Sequence, residues 1–81
     1  MELEDYQKIN CRDLANGLRG LRNLNGHTLE DLSFYLGKDI AYLSRLEKGK
    51  ILPKLSTVTE ILCFYNLTLK DFYDRLDEFS I

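Results

Sequence analysis

This sequence has few of the residues from which metal sites and catalytic centres are built. It contains one histidine, His27, and two cysteines, Cys11 and Cys63, in 81 residues. The cysteines are too few and too far apart for a zinc framework, and the histidine has no thiol or carboxylate companions that would complete a metal or catalytic site. We expect no metal, no cofactor and two free thiols, with Cys63 in the core of a helix and His27 exposed in a loop.

Features that mark enzymes and membrane proteins are also missing. No paired carboxylates in an apolar setting, no nucleophile with a neighbouring base and no glycine-rich phosphate loop can be placed, so we expect no enzymatic activity. No apolar run approaches the length of a membrane span, and the N-terminal stretch MELED is acidic where a signal peptide would be basic. These absences favour a soluble, cytoplasmic protein that makes no membrane contact.

The length of the chain suits one small domain. Hydrophobic residues make up 44% of the sequence and charged residues 30%, which is typical of a globular protein whose single core is small but sufficient. Residues 1–8 show no clear periodicity and are predicted to form an N-terminal arm. Residues 9–81 are predicted to form the domain.

The charges are distributed unevenly along the chain. The formal net charge is −2, which by itself argues against a nucleic-acid partner. Between residues 8 and 54, however, nine basic residues stand against five acidic ones, and the excess of acidic residues is confined to the two ends. This segregation predicts a basic face backed by an acidic one, an arrangement that orients a molecule towards DNA.

Residues 28–49, TLEDLSFYLGKDIAYLSRLEKG, are the centre of the prediction. Apolar residues recur there at helical spacing on either side of a turn at Gly37, where the chain can take a positive φ. Thr28 is placed to cap the first of the two helices in a capping box with Asp31, and Asp39 to cap the second. The pattern predicts a helix-turn-helix with helices at about 29–36 and 40–48.

The rest of the chain is predicted to be helical as well. A first helix is expected at about 9–24, and a fourth is expected to begin near Ser56 or Thr57, with a Thr57–Glu60 capping box, and to end at Asn66. A fifth helix is expected to open at Thr68. Three lysines lie at or just after the end of the helix predicted at about 40–48, namely Lys48, Lys50 and Lys54. Next to a helix-turn-helix they are predicted to clamp DNA phosphates, although alone they would suit a solubilising surface.

Residues 14–73 resemble the phage-repressor family (Cro/cI-like, also called XRE-like) of DNA-binding domains. The resemblance is carried by Leu18, Leu21, Arg22, Thr28, Leu32, Leu36, Gly37, the run YLSRLEKG at 42–49, Pro53 and residues 67–72. It implies an all-α, five-helix lambda-repressor-like domain whose partner is double-stranded DNA. It also implies an ion pair between Arg22 and Glu47, which without the resemblance would be read as solvated charges.

The resemblance further implies which residues meet DNA. Carried over by position, the base-reading residues are Ile40, Ala41, Ser44 and Arg45. Apart from the resemblance, the candidate phosphate contacts are Thr28, Lys38, Tyr42, Lys48, Lys50 and Lys54. For Tyr42 two interpretations stay open, packing at the junction after the recognition helix or a contact to phosphate. Leu29 and Lys38 depart from the family pattern, which commonly has glutamine and a small apolar residue there, so direct base readout is expected to be sparse.

The predicted fifth helix carries more apolar residues than a terminal helix of this size needs. They are Leu69, Phe72, Tyr73, Leu76 and Phe79, and we expect them to form a twofold dimer interface, the alternative being that they seal the monomer core. The leading functional prediction is a dimeric repressor that inserts residues 40–48 into the major groove of a palindromic operator. The second is a protein-interaction module, such as an antitoxin, antirepressor or adaptor, that retains the fold and binds a protein partner.

Overall fold

The computed structural model describes residues 11–79, and this part of the chain is all helical, with no strand. The helices in chain order are α1 (Cys11–Leu24), α2 (Leu29–Leu36), α3 (Ile40–Glu47), α4 (Leu55–Phe64), α5 (Leu69–Asp74) and α6 (Leu76–Phe79). The predicted arm at residues 1–8 and the predicted start of the first helix lie outside the described residues. Within residues 11–79, no helix is both long enough and apolar enough to span a membrane.

The predicted bounds of the helix-turn-helix agree with α2 and α3 to within one residue, but α4 differs. It begins at Leu55, and no side chain caps its N-terminus. The predicted Thr57–Glu60 capping box is therefore wrong: Thr57 lies inside the helix, is buried, and accepts a hydrogen bond from the Tyr42 hydroxyl at 3.3 Å. Cys63 is a free thiol as predicted, but it lies on the exposed side of α4.

The predicted fifth helix is two short helices, because the chain leaves helical geometry at Arg75, which caps α5. This break lets Phe72 and Phe79 both turn inwards, where their rings stack at a centroid distance of 5.8 Å. Both side chains are almost fully buried in the monomer, at 2% and 3% exposure. The expectation that Phe72 and Phe79 form a dimer interface is therefore wrong, since they seal the core of their own chain, whereas Leu69, Tyr73 and Leu76 remain partly accessible.

The core joins the first and last helices to the helix-turn-helix. Its buried members are Leu18, Leu21, Leu32, Leu43, Leu46, Val58, Ile61, Leu62, Phe72 and Phe79. Because α6 lies directly against α1, the backbone of Phe79 approaches Gly20 so closely that a Cβ built on this glycine would lie 1.5 Å from the Phe79 carbonyl oxygen. Glycine at position 20 is thus required by packing, although it weakens the helix locally.

Candidate nucleic-acid interface

The N-terminus of α2 is fixed by a reciprocal pair of hydrogen bonds. The Asp31 backbone N–H donates to the Thr28 hydroxyl at 3.1 Å, and the Thr28 backbone N–H donates to Asp31 Oδ2 at 2.9 Å. The capping box predicted from the sequence is confirmed, and the bond from the Thr28 backbone lowers the pKa of the Asp31 carboxyl. The Thr28 hydroxyl thus satisfies one open N–H of the first turn of α2, and Thr28 itself lies exposed at the start of the helix.

The turn between α2 and α3 is also fixed by local conformation and hydrogen bonds. Gly37 has a φ of 65°, the left-handed conformation that was predicted, and the Ser33 hydroxyl donates to the Lys38 carbonyl oxygen across the turn. Asp39 then caps α3 by accepting a hydrogen bond from the Ala41 backbone N–H at 3.0 Å. These local bonds set the angle at which α3 leaves the turn.

A salt bridge between Arg22 at the end of α1 and Glu47 at the end of α3 fixes α3 from its other end. Arg22 Nε donates to Glu47 Oε2 at 2.8 Å and Arg22 Nη2 donates to Glu47 Oε1 at 2.9 Å, a bidentate geometry. The third donor, Arg22 Nη1, reaches the His27 carbonyl oxygen at 2.7 Å. The hydrogen bond to Glu47 raises the pKa of Arg22 and outweighs the opposing effect of burial. Arg22 thus ties α1, the following loop and α3 together.

The four predicted base-reading residues lie on one side of α3. Leu43 and Leu46 face the core, whereas Ile40, Ala41 and Arg45 are exposed, and Ser44 is half-buried between them. Within residues 11–79, no carboxylate pairs with Arg45. This face therefore presents an uncommitted guanidinium, a hydroxyl and two apolar side chains, a set that suits direct readout of base edges.

A basic loop follows α3. Lys48, Lys50 and Lys54 are all exposed, and Gly49 between them has a φ of 71°, so the chain turns sharply and separates the lysines. The structure adds a residue that the sequence reasoning missed: the Cα of Arg12 lies 3.6 Å from the position a Cβ on Gly49 would occupy. Arg12 is exposed and stands beside the lysine loop, although the two are far apart in sequence. The only sequence signal for it was its positive charge.

The remaining candidate phosphate contacts already have partners within the chain. Lys38 Nζ lies 3.2 Å from Glu60 Oε2, in a pair that is partly exposed on both sides. The Tyr42 hydroxyl bonds to Thr57, as described above, which corresponds to the packing alternative for this residue. Lys38 and Tyr42 would have to share or exchange these partners to bind a phosphate.

His27 is not exposed in a loop, so that expectation is wrong. Its ring is half-buried, its Nδ1 lies 2.9 Å from the Tyr65 hydroxyl, and its ring centroid lies 5.6–5.9 Å from those of Tyr35, Phe64 and Tyr65. Burial raises the pKa of Tyr65. The histidine joins the loop after α1 to the C-terminal end of α4. No group of three or more His, Cys, Asp or Glu residues in the described part of the chain could hold a metal ion.

The two helices α2 and α3, joined by a tight turn, form a helix-turn-helix, and the basic loop follows it. Residues 18–72 match the profile of the helix-turn-helix family, and the chain belongs to this family, of the XRE-like kind. It is similar to the HTH-type transcriptional regulator DdrOP3 of Deinococcus deserti, with 31% identity over 64 residues, which are 79% of this chain and 50% of that protein. The chain thus spans about half the length of this relative. No solved structure was found to match it.

Proposed function

We propose that this protein is a sequence-specific DNA-binding regulator of transcription that inserts α3 into the major groove. The observation that carries the proposal is the exposed face of α3, which presents Arg45 next to a loop with three exposed lysines. The buried pair of Arg22 and Glu47 holds this face at a fixed orientation to the rest of the domain. Membership of the helix-turn-helix family and the similarity to a transcriptional regulator support the same function.

The residues on α3 have distinct roles in this proposal. Arg45 makes the bidentate contact to O6 and N7 of a guanine, which a planar guanidinium fits geometrically. Ile40 and Ala41, at the N-terminal end of the helix, pack on thymine methyl groups, and Ser44 donates to or accepts from a neighbouring base. With one residue capable of bidentate bonding, the readout rests on a small number of positions.

Affinity in this proposal comes from the basic loop. Lys48, Lys50 and Lys54 contact phosphates on one side of the groove, and Arg12 extends this surface from α1. Such contacts position the protein and release counterions, but they carry no sequence information. Thr28 at the start of α2 contributes through its exposed helix N-terminus, and Lys38 through its partly exposed ammonium group.

The regulator is proposed to act as a homodimer and as a repressor. Two recognition helices related by a twofold axis would read half-sites of a palindromic operator about 34 Å apart, one turn of the duplex. Occupancy of the operator would then block transcription without any chemistry by the protein. The second half-site doubles the number of contacts, which compensates for the few base readers on a single α3.

The test is a titration of the protein against random-sequence and genomic duplex fragments at several salt concentrations. We expect Arg45→Ala to remove the preference among fragments, and Lys50→Ala to weaken all fragments alike while lowering the salt slope by about one. Asp74→Ala, in an exposed pair on α5, is the matched control and should bind as the wild type does. Absence of binding above the non-specific level at low salt would contradict the proposal and favour a protein-interaction module instead.

A further inference from the structure

Glu60 on α4 holds one of the lysines proposed to contact DNA phosphate. Its carboxylate reaches Lys38 in the turn between α2 and α3, whose Nζ lies 3.3 Å from Oε1 and 3.2 Å from Oε2. The ammonium group is thus shared between both carboxylate oxygens. A phosphodiester likewise offers two unesterified oxygens to a cation, so Glu60 occupies Lys38 in the way that a DNA backbone would.

The other carboxylates of the helix-turn-helix that form hydrogen bonds hold the fold together. Asp31 and Asp39 cap helices, and Glu47 is buried in its ion pair with α1. Glu60 does not cap α4, and within residues 11–79 its one hydrogen-bonding partner is Lys38. Its side chain is 48% exposed, so the pair adds little to the stability of the fold.

Glu60 is held beside the helix-turn-helix by a hydrogen bond between α3 and α4. Thr57 precedes Glu60 by three residues, so the two lie on one side of α4, and the buried Thr57 hydroxyl accepts from the Tyr42 hydroxyl at 3.3 Å. The backbone of Lys38 is fixed as well, because its N–H donates to the Ser33 carbonyl oxygen at 3.2 Å and its carbonyl oxygen accepts from the Ser33 hydroxyl. The contact between Lys38 and Glu60 can therefore be exchanged by rotation of the lysine side chain alone.

Lys38 lies at the end of α3 that is proposed to enter the groove. It immediately precedes Asp39, the cap of α3, and the proposed base readers Ile40 and Ala41 follow. Its side chain is 27% exposed, so a phosphate can approach the ammonium group without any change in the backbone. A carboxylate within a Debye length of the phosphates also repels them. Glu60 thus opposes DNA binding by holding the lysine and by its own charge.

We infer that Glu60 competes with DNA for Lys38, which exchanges the carboxylate for a phosphate when the protein binds the duplex. Glu60 thereby lowers the affinity for all duplexes alike and leaves the choice among sequences to α3, because phosphate contacts carry no sequence information. The inference rests on the proposed function and assigns a control of affinity at the same site. An exposed ion pair is weak, so a phosphate can displace it.

The experiment is a double-mutant cycle in DNA binding, measured with the full chain at several salt concentrations on a tightly bound duplex and on a random-sequence duplex. Glu60→Gln should tighten binding to both duplexes about two- to fivefold, as release from an exposed ion pair predicts. Lys38→Ala should lower the salt slope by about one, because a phosphate contact is lost. In the Lys38→Ala background the gain from Glu60→Gln should be smaller, since no lysine remains to be released.

The coupling between the two changes separates competition from simple repulsion. If Glu60 acted only through its charge, its removal would help binding at least as much without Lys38 as with it. Asp74→Asn is the matched control, because it also removes a carboxylate paired with an exposed lysine, but on α5. This variant measures the effect of net charge alone and should tighten binding less than Glu60→Gln does. Both variants should melt close to the wild-type temperature, since both pairs are exposed.

Several results would overturn the inference and leave the proposed function intact. A salt slope that Lys38→Ala does not change would mean that the lysine stays with Glu60. Binding that Glu60→Gln weakens or leaves unchanged would mean that the carboxylate does not compete, and an equal gain in Asp74→Asn or in the absence of Lys38 would leave Glu60 as a repelling charge only. If the wild type binds no duplex above the non-specific level, the proposed function fails and the inference fails with it.

Discussion

Removing the Glu47 carboxylate should destabilise this domain more than any surface charge can. Glu47 is 6% exposed, and it accepts two hydrogen bonds from an arginine whose side chain is 11% exposed. In Glu47→Ala the charge of Arg22 stays in place with two N–H groups unpaired, while the Arg22 bond to the His27 carbonyl oxygen remains. The change therefore leaves a nearly buried charge without its partner.

The expected magnitude follows from that burial. Breaking a buried ion pair by removing one partner costs about 3–5 kcal/mol. An 81-residue domain has a total free energy of unfolding of about 4–12 kcal/mol, so the loss is a large part of the whole. At roughly 4–8 °C for each kcal/mol in a domain of this size, the melting temperature should fall by at least about 12 °C.

The assay is thermal unfolding followed by circular dichroism. Asp74→Ala serves as the control, because its pair with Lys70 is solvent-exposed and within one helix, so little change in melting temperature is expected. Arg22→Met combined with Glu47→Leu should be less destabilised than the sum of the two single changes, since the double variant leaves no unpaired charge. A Glu47→Ala variant that melts as close to the wild type as Asp74→Ala does would refute the role assigned to this pair.

Two further predictions concern stability. Gly20→Ala should destabilise the domain, because the new Cβ would collide with the Phe79 carbonyl oxygen. Helix propensity alone predicts the opposite, a gain in stability of about 1 kcal/mol. Denaturant unfolding measures the difference, and a gain in stability would contradict the close approach of α6 to α1. The pKa of Asp31 is lowered in the fold, so its ionised form stabilises the protein above the unfolded-state pKa, and this contribution is lost as the pH falls through the folded value. Melting temperatures should therefore decline below about pH 4, and Asp31→Asn should show a shallower decline, with a lower melting temperature than the wild type at neutral pH.

Local structure in the helix-turn-helix could be predicted from the sequence because its determinants are close together in the chain. The capping box of Thr28 and Asp31 spans three residues, Asp39 caps a helix two residues away, and Gly37 acts through its own φ. Helical periodicity likewise places Leu43 and Leu46 in the core, which leaves exposed the face of α3 that carries the proposed base-reading residues. These features depend on the identity of nearby residues and on no distant partner.

Contacts between residues far apart in the chain could not be predicted from local sequence patterns. The pair of Arg22 and Glu47 joins positions 25 residues apart, and only the family resemblance pointed to it, since charge and spacing alone suggested solvated side chains. The position of Arg12 beside Gly49 carried no pattern in the sequence beyond its charge. Such contacts arise from how whole helices pack, so the order of residues within one helix does not reveal them.

The sequence by itself determined that this chain is helical, where the turn and the caps of the helix-turn-helix lie, and which side of α3 is exposed, because those properties follow from local periodicity and local hydrogen bonds. Only the tertiary structure decided which apolar residues are buried and which stay exposed. The break at Arg75 turns Phe72 and Phe79 into the core, whereas Phe34 on α2 is 82% exposed, because no helix within residues 11–79 covers it. Phenylalanines of one chain are thus exposed at position 34 and buried at positions 72 and 79. Their environments differ because the packing of the helices covers the second and third side chains and leaves the first in solvent.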